Sequence, residues 1–261
     1  MPTTTVRTDG AELIVNEAGS GEPTLIFLHY WGGSARTWTP VIERLPASVR
    51  AIAINQRGWG GSRVVDGRFG LEALADDVAA VVAALRIDRY VVVGHSMGGK
   101  VAQILALRKP HGLSGLVLVA PAPPEPMTVP EDVRAGMLAS YQSRQGVVET
   151  LQVLCGATLA EAHREQVIED TLRGAPEARR IWPEHGMTSD IGFTREELRL
   201  PLEILVGDHD RVERPSVLRP LFSRLLPHAA FTVVPNAGHL LPLEAPQALA
   251  DACVRMRDAV R

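Results

Sequence analysis

At 261 residues, with 46% hydrophobic and 22% charged residues, the chain has the size and composition of one large globular domain or a domain carrying an insertion, which argues against disorder. Its 27 Lys and Arg against 30 Asp and Glu give a net charge of −3, without the basic footprint of a nucleic-acid binder. Runs such as "TLIFLHYW" fall far short of the roughly 20 apolar residues that span a bilayer, and "MPTTTVRTDGAELIV" lacks a basic-then-apolar leader pattern, so a cytoplasmic protein with no membrane partner is expected.

The first stretch, "TTTVRTDGAELIVNEAG", reads as a hairpin turning at Asp9-Gly10. Thr24–His29, Val49–Ile54, Tyr90–His95 and Gly115–Ala120 are nearly continuous apolar runs, as in central parallel strands covered on both faces. Before the third of these, Leu71, Leu74, Ala75, Val78, Val81, Val82 and Leu85 keep helical spacing, with Asp76, Asp77 and Arg86 opposite. Strand–helix alternation of this kind predicts a mostly parallel central sheet flanked by helices.

From Pro121 to about Leu200 the alternation stops. "EDVRAGMLASYQS", "GVVETLQVLCG" and "LAEAHREQVIEDTLRG" read as helices, and no strand pattern is found. "LEILVG" (Leu202–Gly207) and "AAFTVVP" (Ala229–Pro235) then restore the strands, and a closing helix begins near Pro246. The division is therefore an α/β core from residues 1–121 and 199–261 with a helical cap from 122–198 over the C-terminal edge of the sheet, where such sheets bind ligands. Cys155 and Cys253 are too few for a disulfide framework and read as structural thiols.

"VVVGHSMGGKVAQ", Val91 to Gln103, supports two readings. A phosphate-binding loop from Gly94 to Lys100 would need Ser or Thr next, to hold Mg²⁺, and Val101 stands there. The alternative is a G-x-S-x-G elbow between a buried strand and a helix, with Ser96 at the apex and glycines 94 and 98 removing side chains that would collide. The helix N-terminus that follows offers free N–H groups to a developing oxyanion. A serine nucleophile needs a base, and the base an orienting acid. His239, between the last strand and the final helix, is the best placed of the eight histidines. Asp210 in "LVGDHDRVERP" is the favoured acid, with Asp208 as the alternative that braces a turn. His29 ends a strand and holds a loop; His95 precedes the serine, on a side chain that strand alternation turns away from it.

With Ser96, Asp210 and His239 in that chain order, with "QRGWGGS" at Gln56–Ser62 and with "GHLLPLEAP" around His239, the chain resembles the α/β-hydrolase superfamily nearly end to end. It departs from the family in Asn55, where aspartate is common, and in Tyr30, which replaces the glycine of a His-Gly-x run. The resemblance implies an oxyanion hole from the backbone N–H groups of Met97 and Trp31, and it implies that the insertion is the family's cap. Tyr30 and His95 are candidate pocket walls. The expectation is a serine hydrolase, needing no cofactor or metal, that cleaves a largely apolar carboxylic ester, lactone or thioester. C–C bond hydrolysis, haloperoxidase-like perhydrolysis and non-catalytic ligand reception use the same fold and remain alternatives. Because the three candidate triad residues lie outside it, the insertion is expected to set substrate preference rather than chemistry.

Overall fold

The computed structural model describes residues 1–192 and 198–261. Strands β1 (Thr3–Arg7) and β2 (Ala11–Ala18) form the expected hairpin, with Val6 opposite Leu13. β3 (Thr24–Leu28), α1 (Thr39–Ile42), β4 (Ala51–Ile54), the short β5 (Arg63–Val64), α2 (Leu71–Ala84), β6 (Tyr90–His95), α3 (Met97–Leu107) and β7 (Leu113–Val119) follow. Four helices come next: α4 (Glu131–Ser140), α5 (Arg144–Leu154), α6 (Glu161–Arg173) and α7 (Pro176–Ile181). β8 (Leu202–Gly207), α8 (Pro215–Leu225), β9 (Ala230–Val234), α9 (Leu241–Glu244) and α10 (Pro246–Ala259) complete the chain.

The sheet runs β1-β2-β4-β3-β6-β7-β8-β9, with β5 paired to β2. Every pair from β4 to β9 is parallel, and β2 meets β4 antiparallel. The central strands β3, β4, β6, β7 and β8 are largely apolar and buried because both their faces are covered, whereas β1 at one edge is mostly exposed and β9 at the other partly so. Side-chain alternation sorts each central strand between two layers. Leu25, Phe27, Val91, Val93, Val117 and Val119 face Trp38, α10 and its neighbours. Ile26, Leu28, Val92, Leu116 and Leu118 face α2, α3 and part of the inserted helices, including Leu151 and Trp182.

Several strand ends differ from expectation by one or two residues, β7 also starting earlier at Leu113, and two of them have evident local reasons. Val49 is held in a turn, its N–H donating to Pro46 at 2.9 Å, so β4 starts at Ala51. Ala120 takes φ 39° and ends β7 one residue early. α7 and the single π-helical turn after it, Trp182–Gly186, were not separable from the sequence; Pro176 sits in the first turn of the helix and Pro183 in that of the π turn. Residues 193–197, at the end of the inserted block expected over 122–198, lie outside the described residues. Among the described residues no helix is long and apolar enough to cross a membrane.

Candidate active site

The turn at Ser96 is built by backbone and glycine alone. Ser96 takes φ 53° and ψ −115°, a conformation side chains rarely adopt and that costs on the order of 1–3 kcal/mol. It persists because the surroundings over-determine it. The Ser96 N–H donates to Val119 at 3.0 Å, and its carbonyl accepts from Gly99 and Ala122 at 2.8 and 3.1 Å. A Cβ on Gly94 would strike the Gly98 carbonyl, and one on Gly98 would come within 2.6 Å of the carbonyl oxygens of Leu28 and His29. That second contact presses the N-terminus of α3 against the end of β3, and so brings Met97 beside the His29–Trp31 loop.

His239 and Asp210 come together on the loops after β9 and β8. His239 Nδ1 is 2.9 Å from Asp210 Oδ2, and both side chains are buried. The other carboxylate oxygen, Oδ1, accepts from the Val212 and Glu213 N–H groups, each at 2.8 Å. Burial pushes the Asp210 carboxyl up, but the facing imidazole and those two amides outweigh it and hold it below the usual carboxylate range. An ionised Asp210 can only accept, so Nδ1 carries the proton and the Nε2 lone pair is left for chemistry. Asp208 is partly exposed and accepts one 3.3 Å bond from Ala237 N–H. Ser96 Oγ makes no hydrogen bond among the described residues, His239 included, so the serine–histidine contact is not closed in this state. Such bonds are commonly loose before substrate arrives.

His95 is not a pocket wall. It is fully buried, its ring centroid lies 5.2 Å from that of His239, and its Nε2 lies 2.7 Å from the His239 carbonyl. Burial, then the neighbouring His239, push its pKa well below the ordinary imidazole value. It is therefore neutral, and since a carbonyl only accepts, Nε2 is the protonated nitrogen. The ring is thereby committed to the backbone of the histidine loop. Tyr30 is also buried, its ring 5.1 Å from that of His95, and its hydroxyl has no partner among the described residues.

The loop after β3 is held from two sides. His29 Nδ1 donates to the Tyr30 carbonyl at 2.7 Å, and Nε2 accepts from Gln56 N–H at 3.1 Å. Burial lowers its pKa to about 4 despite the bond to Tyr30, so it is neutral. The Tyr30 carbonyl also accepts from Gly33 N–H at 3.1 Å. Because the peptide is planar and trans, fixing that carbonyl turns the Trp31 N–H the opposite way. Among the described residues neither the Trp31 N–H nor the Met97 N–H meets an acceptor, so both donors are unspent. The 56–62 motif is architectural: Arg57 is buried against Asp77 through two 2.7 Å bonds, and Ser62 Oγ donates to Asn55 carbonyl at 2.6 Å. Asn55, standing where aspartate was the comparison, accepts from Ala35 N–H at 2.8 Å and donates to Ile14 carbonyl at 3.0 Å.

Further residues around these groups include Glu244, noted only as part of the motif after His239, and Glu213, which sequence reasoning did not single out. Glu244 Oε1 accepts from Gly156 and Ala157, and Oε2 from Gly238 and Leu240, at 2.6 to 3.1 Å, tying the histidine loop to the end of α5. The His239 N–H itself donates to the Leu154 carbonyl at 2.7 Å. Glu213 is buried, and burial plus Asp210 push its carboxyl well above the usual range. Lys100 is buried on α3 with Nζ donating to the Ser189 carbonyl at 2.6 Å, and burial lowers its pKa to about 8. Both cysteines are free, and burial pushes the Cys155 thiol up to about 12 and Cys253 also upward, as inert thiols.

Comparison with known proteins follows the same lines. A family model described as "Alpha/beta hydrolase family" matches residues 25–252. A putative carbamate hydrolase, RutD, of Caulobacter sp. (strain K31) is 29% identical over 237 residues, covering 88% of either chain. A 2-(acetamidomethylene)succinate hydrolase of Mesorhizobium japonicum is 26% identical over 257 residues, covering 95% of this chain and 92% of that one. The solved esterase of Exiguobacterium antarcticum superposes with a TM-score of 0.87 over 98% of this chain and 99% of its own, at 18% identity, a likeness of fold. With the family model spanning the sheet from β3 into α10, and with relatives of matching length, the chain belongs to the alpha/beta hydrolase family.

Proposed function

We propose that the protein is a serine hydrolase that cleaves carboxylic esters or closely related acyl compounds through an acyl-enzyme on Ser96. One observation carries the reading. The imidazole of His239, its Nδ1 committed to a buried Asp210, packs on His95, the residue immediately before a strained Ser96. His239 Nε2 takes the hydroxyl proton as Ser96 Oγ attacks the carbonyl carbon, and Asp210 offsets the imidazolium charge. The tetrahedral oxyanion is held by the Met97 and Trp31 N–H groups, each good donor being worth about 3 kcal/mol. Collapse expels the alcohol with the proton from His239, and water repeats the sequence to release the acid.

The inserted helices act as a cap, and the acyl group is modest and apolar. A cleft of about 60 Å³ lined by Met97, Phe69, Leu71, Leu74, Ile181 and Trp182, with His185 and Ser189 as its polar members, supports this. A second reading, carbamate or amide cleavage by the same machinery, is favoured by the two relatives named above, each matched over most of its length. The test is a panel of p-nitrophenyl acyl esters, aryl carbamates and anilides, with a fluorophosphonate probe mapped by mass spectrometry. Ester turnover with the adduct on Ser96, both lost in Ser96→Ala, is expected. Turnover of carbamates or anilides but not esters selects the second reading, and an adduct on another serine or undiminished turnover in Ser96→Ala overturns both.

A further inference from the structure

The loop that carries the Trp31 N–H is braced by side chains of the inserted helices, whereas the Ser96 turn is held by main-chain bonds. The Tyr141 hydroxyl, from the end of α4, donates to the Trp31 carbonyl at 3.1 Å. The Tyr141 ring stacks on the Trp31 indole with centroids 3.8 Å apart and planes 14° from parallel. Thr171 Oγ1, on α6, donates to the Gly32 carbonyl at 3.0 Å. Two residues further on, Ser34 Oγ donates to Asp170 Oδ2 at 2.8 Å, and Arg36 reaches Asp170 Oδ1 at 2.6 Å. Tyr141, Asp170 and Thr171 are all buried. Gly32 takes φ 98°, and a Cβ there would lie 2.7 Å from the Tyr141 ring, so the loop's turn is shaped around that ring.

We infer that Tyr141 and Thr171 are positioning residues for the oxyanion hole, so that the inserted helices complete the catalytic apparatus instead of only selecting substrate. The inference rests on the serine-hydrolase reading. The peptide that presents the Trp31 N–H is fixed at its Tyr30 carbonyl by His29 and Gly33, and at Trp31 Cα through the stacked ring and the following peptide, whose carbonyl accepts from Tyr141. His29 belongs to the core; the carbonyl and ring are held by α4 and α6. The two carbonyls that follow Tyr30, at 31 and 32, are both taken up by hydroxyls of the insertion. Each carbonyl would otherwise be free to rotate with its peptide. A donor displaced by about 1 Å from the oxyanion loses a large part of its effect on rate. The expectation that the insertion leaves chemistry untouched therefore gives way.

The experiment compares Tyr141→Phe, Thr171→Val and Thr171→Ser with wild type on one good ester. It reads kcat and KM separately, the affinity of an alkyl boronic acid that forms a tetrahedral adduct on serine, and the melting temperature. Tyr141→Phe keeps the stacked ring and loses only the donor. Both it and Thr171→Val are expected to lower kcat about 10-fold with KM within about 3-fold. Boronate affinity should fall by the same factor, and Thr171→Ser, which keeps the hydroxyl, should restore kcat to within about 3-fold of wild type. Unchanged kcat in both variants, a rise in KM alone, or equal losses in Thr171→Val and Thr171→Ser overturns the proposal while leaving the hydrolase reading intact. A wild-type protein that neither turns over nor labels at Ser96 overturns the reading, and the proposal with it.

Discussion

The Ser96 turn and the loop from His29 to Arg36 lie against each other, yet they are held in place by different means. At Ser96 the restraint is main-chain: its own amide and carbonyl bond to Val119, Gly99 and Ala122, and glycines at 94 and 98 let α3 close onto β3 and β6. The neighbouring loop has His29 behind it but depends in front on side chains from α4 and α6, with Tyr141 on Trp31, Thr171 on Gly32 and Asp170 on Ser34 and Arg36. Ser96, the proposed nucleophile, is thus set by main-chain bonds, and the loop of Trp31, the proposed oxyanion donor, by the core on one side and by side chains of the inserted helices on the other. The lesson is that two groups proposed to act on one substrate atom can be restrained by different means, one by backbone and glycine and the other by side-chain hydroxyls distant in sequence.

The largest expected effect separates strain from chemistry at the turn. Ser96→Gly and Ser96→Ala should both abolish turnover, but only glycine relieves φ 53°. Relief of about 1–3 kcal/mol, less about 0.5–1 kcal/mol for glycine's extra freedom when unfolded, leaves Ser96→Gly more stable by about 1 kcal/mol. Calorimetry should show its melting temperature roughly 2–4 °C above that of Ser96→Ala. Equal melting temperatures would mean that the turn stores no strain.

Next comes the orienting acid. In serine-protease triads, exchanging the aspartate for asparagine costs about 10⁴ in kcat by selecting the wrong imidazole tautomer, and Asp210→Asn should approach that loss. Asp208→Asn, which disturbs one 3.3 Å bond to Ala237, should cost less than about 10-fold. Steady-state kinetics on one ester decides it, and a larger loss at Asp208 would move the acid.

Gly98→Ala tests the contact between the two regions directly. The added Cβ would meet the Leu28 and His29 carbonyl oxygens at 2.6 Å, backbone against backbone, so one strand end or the helix must shift. A loss of about 3 kcal/mol in urea unfolding is expected, together with a fall in kcat larger than the loss of folded protein explains. Full stability and activity in Gly98→Ala would show that α3 does not set the spacing between Met97 and Trp31.

These experiments also separate what could be read from the sequence from what could not. The elbow was legible because its restraints are local: two glycines around a serine, where an apolar run gives way to helical spacing. His239 and Asp210 were legible by position, each in the loop after a strand of the same sheet. The brace on Trp31 was not, because Tyr141 lies 110 residues along the chain from Trp31, and Thr171 139 from Gly32. Their helices show only an amphipathic pattern, which carries no sign of a polar contact. Nor was the bond of His95 to the His239 carbonyl, 144 residues on. The crossing of Leu154–Ala157 with the histidine loop, held by Glu244, was hidden for the same reason.

A pH dependence of stability is expected from His29, with no single reacting group involved. Its folded pKa is lowered to about 4, from the ordinary imidazole value of 6.5, because burial disfavours the charged ring. Between those values the unfolded chain binds the proton and the folded chain does not, so stability rises with pH across that window and is lost as pH falls from 6.5 to 4. The loss should be about 3 kcal/mol. His29→Gln, which keeps one donor and one acceptor, should make urea-unfolding free energies less steep over that range, the remainder coming from His95, which burial also holds below its ordinary value. An equally steep profile in the variant would place the titration elsewhere.

The central claim is that Ser96 Oγ becomes covalently acylated. Acid quenching during turnover of p-nitrophenyl butyrate, followed by peptide mapping, tests it most directly. The account predicts a butyryl group on the peptide carrying Ser96, most abundant early in turnover and absent from Ser96→Ala. Rapid release of p-nitrophenol with Ser96 unmodified at every quench time, or with the butyryl group on another residue, would contradict it.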